Sequence, residues 1–183
     1  MPLSSEGKRR IRSLAKRFKG FPADCICTSL LKRARESGEM IARILGKKVV
    51  VDPRLNELKW GAWEGKTADE LLRENHSAYQ QWLENPLRTP PQGESVGSLQ
   101  KRVRRFLRDC LKRYKNKTVV VVSHGGPIKM LLIEALKLPR KYLFHFRIDV
   151  ASVTILKFYP QKTQLLCLNN TLSQKIGEQL SYG

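Results

Sequence analysis

At 183 residues, 41% of them apolar, the chain is long enough to bury a core and too apolar for a disordered segment. Its 35 Lys and Arg against 16 Asp and Glu give a net charge of +19, which favours anionic partners and is silent about fold. Three isolated histidines lack metal-ligand spacing, and Cys25, Cys27, Cys110 and Cys167 form no C-x-x-C pair, so neither a metal nor a cofactor is expected. With no secretory signal or long apolar run, the expectation is a reduced, cytoplasmic setting and no membrane partner.

In chain order, Ser4 or Ser5 can cap a helix whose apolar stripe is Ile11, Leu14, Ala15 and Phe18. Residues 24–28 read as a short strand, and Thr28 or Ser29 can open a helix over 30–45 that Gly46 ends. Val49-Val-Val51 reads as a second buried strand, 53–65 as loop, 67–83 as two short helices and 86–93 as a Pro-rich loop. The clearest helix spans 95–114, with Val96, Leu99, Val103, Leu107, Cys110 and Tyr114 on one stripe. Lys101, Arg105, Arg108, Lys112 and Lys115 fall on the opposite stripe. Next comes the run Thr118-Val-Val-Val-Val-Ser-His-Gly-Gly-Pro127: four valines for a strand buried on both faces, two glycines for a turn, and a helix over 128–137. Residues 152–159 and 164–168 form a hairpin, and the tail from Asn169 is polar. No repeat or linker appears, so 1–183 reads as a single α/β domain.

The chemistry-bearing residues stand at element ends. Arg33 comes after the first strand, Glu57 after the second, and His124 ends the valine strand. If those strands are parallel, all three reach one carboxyl-end edge. A guanidinium fork, an imidazole and helix-head N–H groups, including that of Gly125, suit a phosphoryl group, and a carboxyl can protonate a leaving oxygen. The expected partner is a small phosphorylated substrate.

Pro2-Leu-Ser-Ser-Glu-Gly7, Thr28-Ser-Leu-Leu-Lys-Arg-Ala34, Leu55-Asn-Glu57 with Gly61-Ala-Trp-Glu-Gly65, Gln92-Gly-Glu-Ser95 and Ser123-His-Gly-Gly126 occur in order along the chain. In these motifs the sequence resembles the histidine phosphatase superfamily, and within it the short phosphoglycerate-mutase-like phosphatases of the α-ribazole phosphatase type. The resemblance implies a three-layer α/β/α sandwich with a mostly parallel sheet. It implies phosphoryl binding by Arg33, His124 and the Gly125 N–H, with Glu57 as proton donor and then base. Substrates it allows include α-ribazole phosphate, sugar phosphates, nucleotides and phosphoglycerate.

One motif has no counterpart. The family's nucleophile is the histidine of an Arg-His-Gly segment closing the first strand, upstream of the Pro-Leu-Ser-Ser-Glu-Gly stretch, and no Arg-His-Gly occurs in this sequence. His76 and His145 lie in no strand-to-glycine turn. The expectation is a domain truncated at its N-terminus relative to the family, rather than an adapted pseudoenzyme. It would be inactive as it stands, with a gap where a central strand would lie. Two alternatives have less support. Gly93-Glu-Ser-Val-Gly97 matches an esterase elbow but is preceded by Thr-Pro-Pro-Gln, which cannot be a central strand. The net charge of +19 fits a non-catalytic protein binding nucleic acid or another polyanion, yet no RNA-binding motif accompanies it.

Overall fold

A computed structural model describes residues 1–74 and 76–171. The chain runs α1 (Ser5–Arg17), β1 (Cys25–Thr28), α2 (Lys32–Leu45), β2 (Val49–Val51), α3 (Ala68–Glu74), α4 (His76–Glu84), α5 (Val96–Arg113), β3 (Val119–Val122), α6 (Gly125–Ala135), β4 (Val153–Phe158) and β5 (Thr163–Asn170). Short 3₁₀ turns at Pro53–Leu55, Gly61–Trp63 and Arg140–His145 interrupt the long connections.

β1 is the centre of a parallel three-stranded sheet of order β2-β1-β3, with Ile26 opposite Val49 and Val120. Alternation along β1 builds two cores. Ile26 points to α1 and α2, meeting Leu14, Phe18 and Ile41, with Val120 and Val122 of β3 on the same face. Cys25 and Cys27 point the other way, to Leu55 and Phe106 of α5, with Val119 and Val121 beside them. Helices therefore cover both faces, and the fold is the expected α/β sandwich. A third core joins α5 to α6 through Leu99, Val103, Met130 and Ile133.

Several expectations are corrected by the packing. β2 is not buried: it is the outer strand, and Val50 and Val51 are 37% and 39% exposed. The valines of β3 are half-buried, because β3 hydrogen-bonds on one side only among the described residues. The strand buried throughout is β1. In α5 the inward stripe turns through Phe106 (3% exposed) rather than Leu107. Helix α6 begins at Gly125 instead of residue 128, so both glycines lie in its first turn.

The antiparallel hairpin β4-β5 is a separate sheet. Val153 and Ile155 of its first strand nonetheless pack on the same cluster as Val120 and Val122. One apolar layer thus runs beneath two sheets with no strand between them among the described residues. The polar tail beyond 171 lies outside the described residues. Among the described residues no helix is long and apolar enough to cross a membrane, and no His, Cys, Asp or Glu cluster could hold a metal ion.

Candidate functional site

Parallel pairing puts the carboxyl ends of β1 and β3 side by side, with Thr28 opposite Val122. The segments that leave these two strands therefore meet at one edge. After β1 come Ser29 and then Arg33 in the first turn of α2; after β3 come Ser123, His124 and α6. The Ser29 hydroxyl lies 2.7 Å from His124 Nε2 and accepts the Leu31 N–H at 3.2 Å. Ser29, expected to cap α2, instead joins the two strand ends; the α2 N-cap is Leu31, without a side-chain bond.

His124 is the N-cap of α6, in extended backbone, and is 8% exposed. Burial, then the positive charges of Arg33 and Arg102, lower its pKa from 6.5 to about 4. The imidazole is therefore neutral at physiological pH. Glu57 reaches the same helix head: its Oε1 accepts the Gly126 N–H at 3.1 Å and its own neighbour's, Leu58, at 2.8 Å. Burial raises the Glu57 pKa against the opposing pull of those two N–H groups, Arg33 and Arg102. Gly126 is glycine for a steric reason, since a Cβ there would stand 2.5 Å from Glu57 Oε1. Arg33, Glu57, His124 and the N–H of Gly125 thus share one end of the sheet. Chemically, the group offers a guanidinium, a neutral imidazole, a carboxyl inclined to keep its proton and a helix head, which together suit an anionic ester.

Beside Glu57 opens a cavity of about 170 Å³, walled by Leu58, Trp60, Gly125, Lys129 and Phe144. Its aromatic wall is held from behind by Trp82 of α4, whose ring sits 5.4 Å from Trp60 and 5.5 Å from Phe144, both edge-to-face. Lys129 lies one turn into α6, 5.7 Å from the centre of the Phe144 ring. Burial lowers its pKa, opposed by the Glu57 charge. Helix α4 enters the site in this way, through Trp82, as a brace for the cavity wall.

Two participants escaped sequence reading: Ser29 and Arg102. Arg102 forks onto Glu94 through Nε and Nη2, at 2.7 and 2.8 Å. It also donates to the carbonyl oxygens of Arg54, Asn56 and Glu57 at 2.7, 2.6 and 3.2 Å. The signal for it was available. Arg102 stands three residues after Leu99 and four before Phe106, a charge inside the apolar stripe. Glu94 is the partner of Arg102, while its neighbour Ser95 caps α5, accepting the Ser98 N–H.

A parallel sheet covered by helices on both faces, with an imidazole and a carboxyl at one helix head and the charge of Arg33 felt by both, defines an α/β protein with its polar groups at one sheet edge. The chain belongs to the histidine phosphatase superfamily (branch 1), whose family model matches residues 1–171. It is 31% identical over 170 residues to phosphoserine phosphatase 1 of Hydrogenobacter thermophilus, a match covering 92% of this chain and 81% of that one. A bifunctional protein of Mycobacterium tuberculosis is 40% identical over 134 residues, which are 73% of this chain but 37% of the relative. The match thus spans little more than a third of that relative's length. Among solved structures, the α-ribazole phosphatase of Shigella flexneri superposes with a TM-score of 0.83 at 25% identity, covering 93% of this chain and 85% of that one.

Proposed function

We propose that this chain binds small phosphomonoesters at the α6 head and is built for hydrolysing them. In this reading Arg33, His124 and the Gly125 N–H hold the phosphoryl oxygens, and Glu57 protonates the leaving oxygen and afterwards takes a proton from water. The observation that carries it is the Glu57 carboxyl, its pKa raised, hydrogen-bonded to the helix head beside a neutral imidazole. A raised pKa favours a proton donor, and N–H groups already aligned favour a phosphate seat; the arrangement offers both. The cavity of about 170 Å³ would take the leaving alcohol between Trp60 and Phe144. It holds about six waters' worth of space, which favours compact alcohols over nucleosides. The relative named for phosphoserine fits that preference.

A covalent route also needs a nucleophile in line with the leaving oxygen. The 183 residues contain no Arg-His-Gly stretch. For this polypeptide alone we therefore expect phosphate binding without appreciable turnover. Calorimetric titration with inorganic phosphate tests the seat. Arg33→Ala and His124→Ala should each weaken binding by roughly tenfold or more, as loss of a charge-assisted hydrogen bond does. Unchanged affinity in both variants would remove the proposal. Hydrolysis of an aryl phosphate by the 183-residue chain, abolished by His124→Ala, would overturn the expectation of inactivity.

A further inference from the structure

We infer that Arg102, clamped by Glu94, is the positioning residue for Glu57, so that helix α5 sets where the proton donor points. The inference rests on the reading of Glu57 as that donor.

The segment 54–59 has to deliver Glu57 to the α6 head although it belongs to no strand and only its start lies in a 3₁₀ turn. Its carbonyl groups would otherwise be left to solvent or to chance partners. Instead, four successive carbonyls are held by side chains. Arg102 takes those of Arg54, Asn56 and Glu57, and the Ser123 hydroxyl donates to that of Leu55 at 2.7 Å. The next fastening is to the partner of Arg102: the Glu94 N–H donates to Lys59 O at 2.8 Å. Asn56 adds a tie to the end of β1, its Oδ1 accepting the Leu30 N–H at 2.9 Å.

With its carbonyl drawn toward α5, Glu57 directs its carboxyl the other way, onto the Gly126 N–H. Every nitrogen of the Arg102 guanidinium is engaged, and the Glu94 carboxylate fixes the plane of the fork from one edge. Arg102 and Glu94 side chains are 19% and 13% exposed, so water competes little for these bonds. A lysine could supply the charge but not a planar fork reaching three carbonyls and a carboxylate at once.

The test is the titration of the Glu57 side-chain carboxyl, monitored by carbon-13 NMR, in wild type, Arg102→Lys and Glu94→Gln. Arg102→Lys keeps the positive charge, so any change reports geometry. We expect its Glu57 pKa to fall toward the ordinary carboxyl range as the segment loosens and water reaches the group. The Gly126 amide proton should also lose the pH-dependent shift that tracks Glu57 in wild type. Glu94→Gln, which keeps the carbonyl contacts of Arg102, should move both signals in the same sense by less. A folded Arg102→Lys protein with an unmoved Glu57 titration overturns the inference. So does failure of both variants to fold, which would make the pair a brace for the core. Inorganic phosphate binding serves as the separate control. Its absence in wild type would sink the phosphate-site reading, whereas its survival in Arg102→Lys beside a shifted Glu57 supports the inference.

Discussion

At the α6 head Glu57 is half-buried and His124 buried, and burial pushes their pKa values in opposite directions. For His124 the folded value of about 4 lies below the ordinary 6.5. Between those pH values the unfolded chain binds the extra proton, so stability falls as pH drops through the window. His124→Gln should flatten that part of the curve, measured by urea unfolding at several pH values. Glu57 has the opposite sign. Its folded pKa is raised above 4.5, so as pH climbs past 4.5 the unfolded chain ionises first and stability is lost. Glu57→Gln, able to accept the same two N–H groups, should be more stable than wild type above that pH. Gly126→Ala is a steric probe of the same pair: its Cβ would meet Glu57 Oε1 at 2.5 Å. It should destabilise by about 1–3 kcal/mol, the usual cost of overpacking, and displace the Glu57 titration. Arg33, Glu57 and His124 were legible because each closes or comes after a strand and carries a functional side chain. Ser29 was not, since a hydroxyl before a helix reads first as a cap, and only the neighbouring strand end brings His124 to it.

Among the elements, α5 is the one whose sequence and structure agree most closely, and it does two jobs. Its apolar stripe closes the sheet's second face through Phe106 and meets α6 through Leu99 and Val103. Its N-terminal end reaches the site through Arg102 and Glu94. Ser95→Ala removes the cap bond to the Ser98 N–H and should cost about 1 kcal/mol in thermal unfolding. Arg102→Ala should cost more, about 2–4 kcal/mol, because it strands three carbonyls and a carboxylate that is 13% exposed. The strands were harder to read than the helices. Val49–Val51 and Val119–Val122 are both apolar runs without alternation, and such runs do not say which strand is central. Position is decided by pairing, which gives both sides to Cys25–Thr28. The early start of α6 was illegible for a related reason. Gly125 and Gly126 read locally as a turn, but as helix they free one N–H for Glu57 without a Cβ clash.

At the scale of the molecule, the net charge of +19 is carried largely by exposed side chains, including Lys101, Arg105, Arg108 and Lys112 of α5 and Lys115 just beyond it. Such a face attracts polyanions without recognising them. RNA binding, measured by fluorescence anisotropy, should therefore be weak and vanish by moderate salt. Tight binding that persists there would favour the polyanion-binding alternative. The divided sheet has a consequence for how the chain finds its shape. Strands β4 and β5 are closed by a local turn, with the Tyr159 N–H bonded to Lys162 O at 2.8 Å. The parallel sheet must instead bring together groups such as Asp24 and Thr118, which hydrogen-bond across 94 positions. Closing so long a loop is slow, and with no strand bridging the two sheets among the described residues, neither needs the other to begin. In pulse-labelled hydrogen exchange during refolding, the amides of Val153–Phe158 and Thr163–Asn170 should become protected before those of Cys25–Thr28. Protection of Cys25–Thr28 first would mean that folding starts from the long-range sheet.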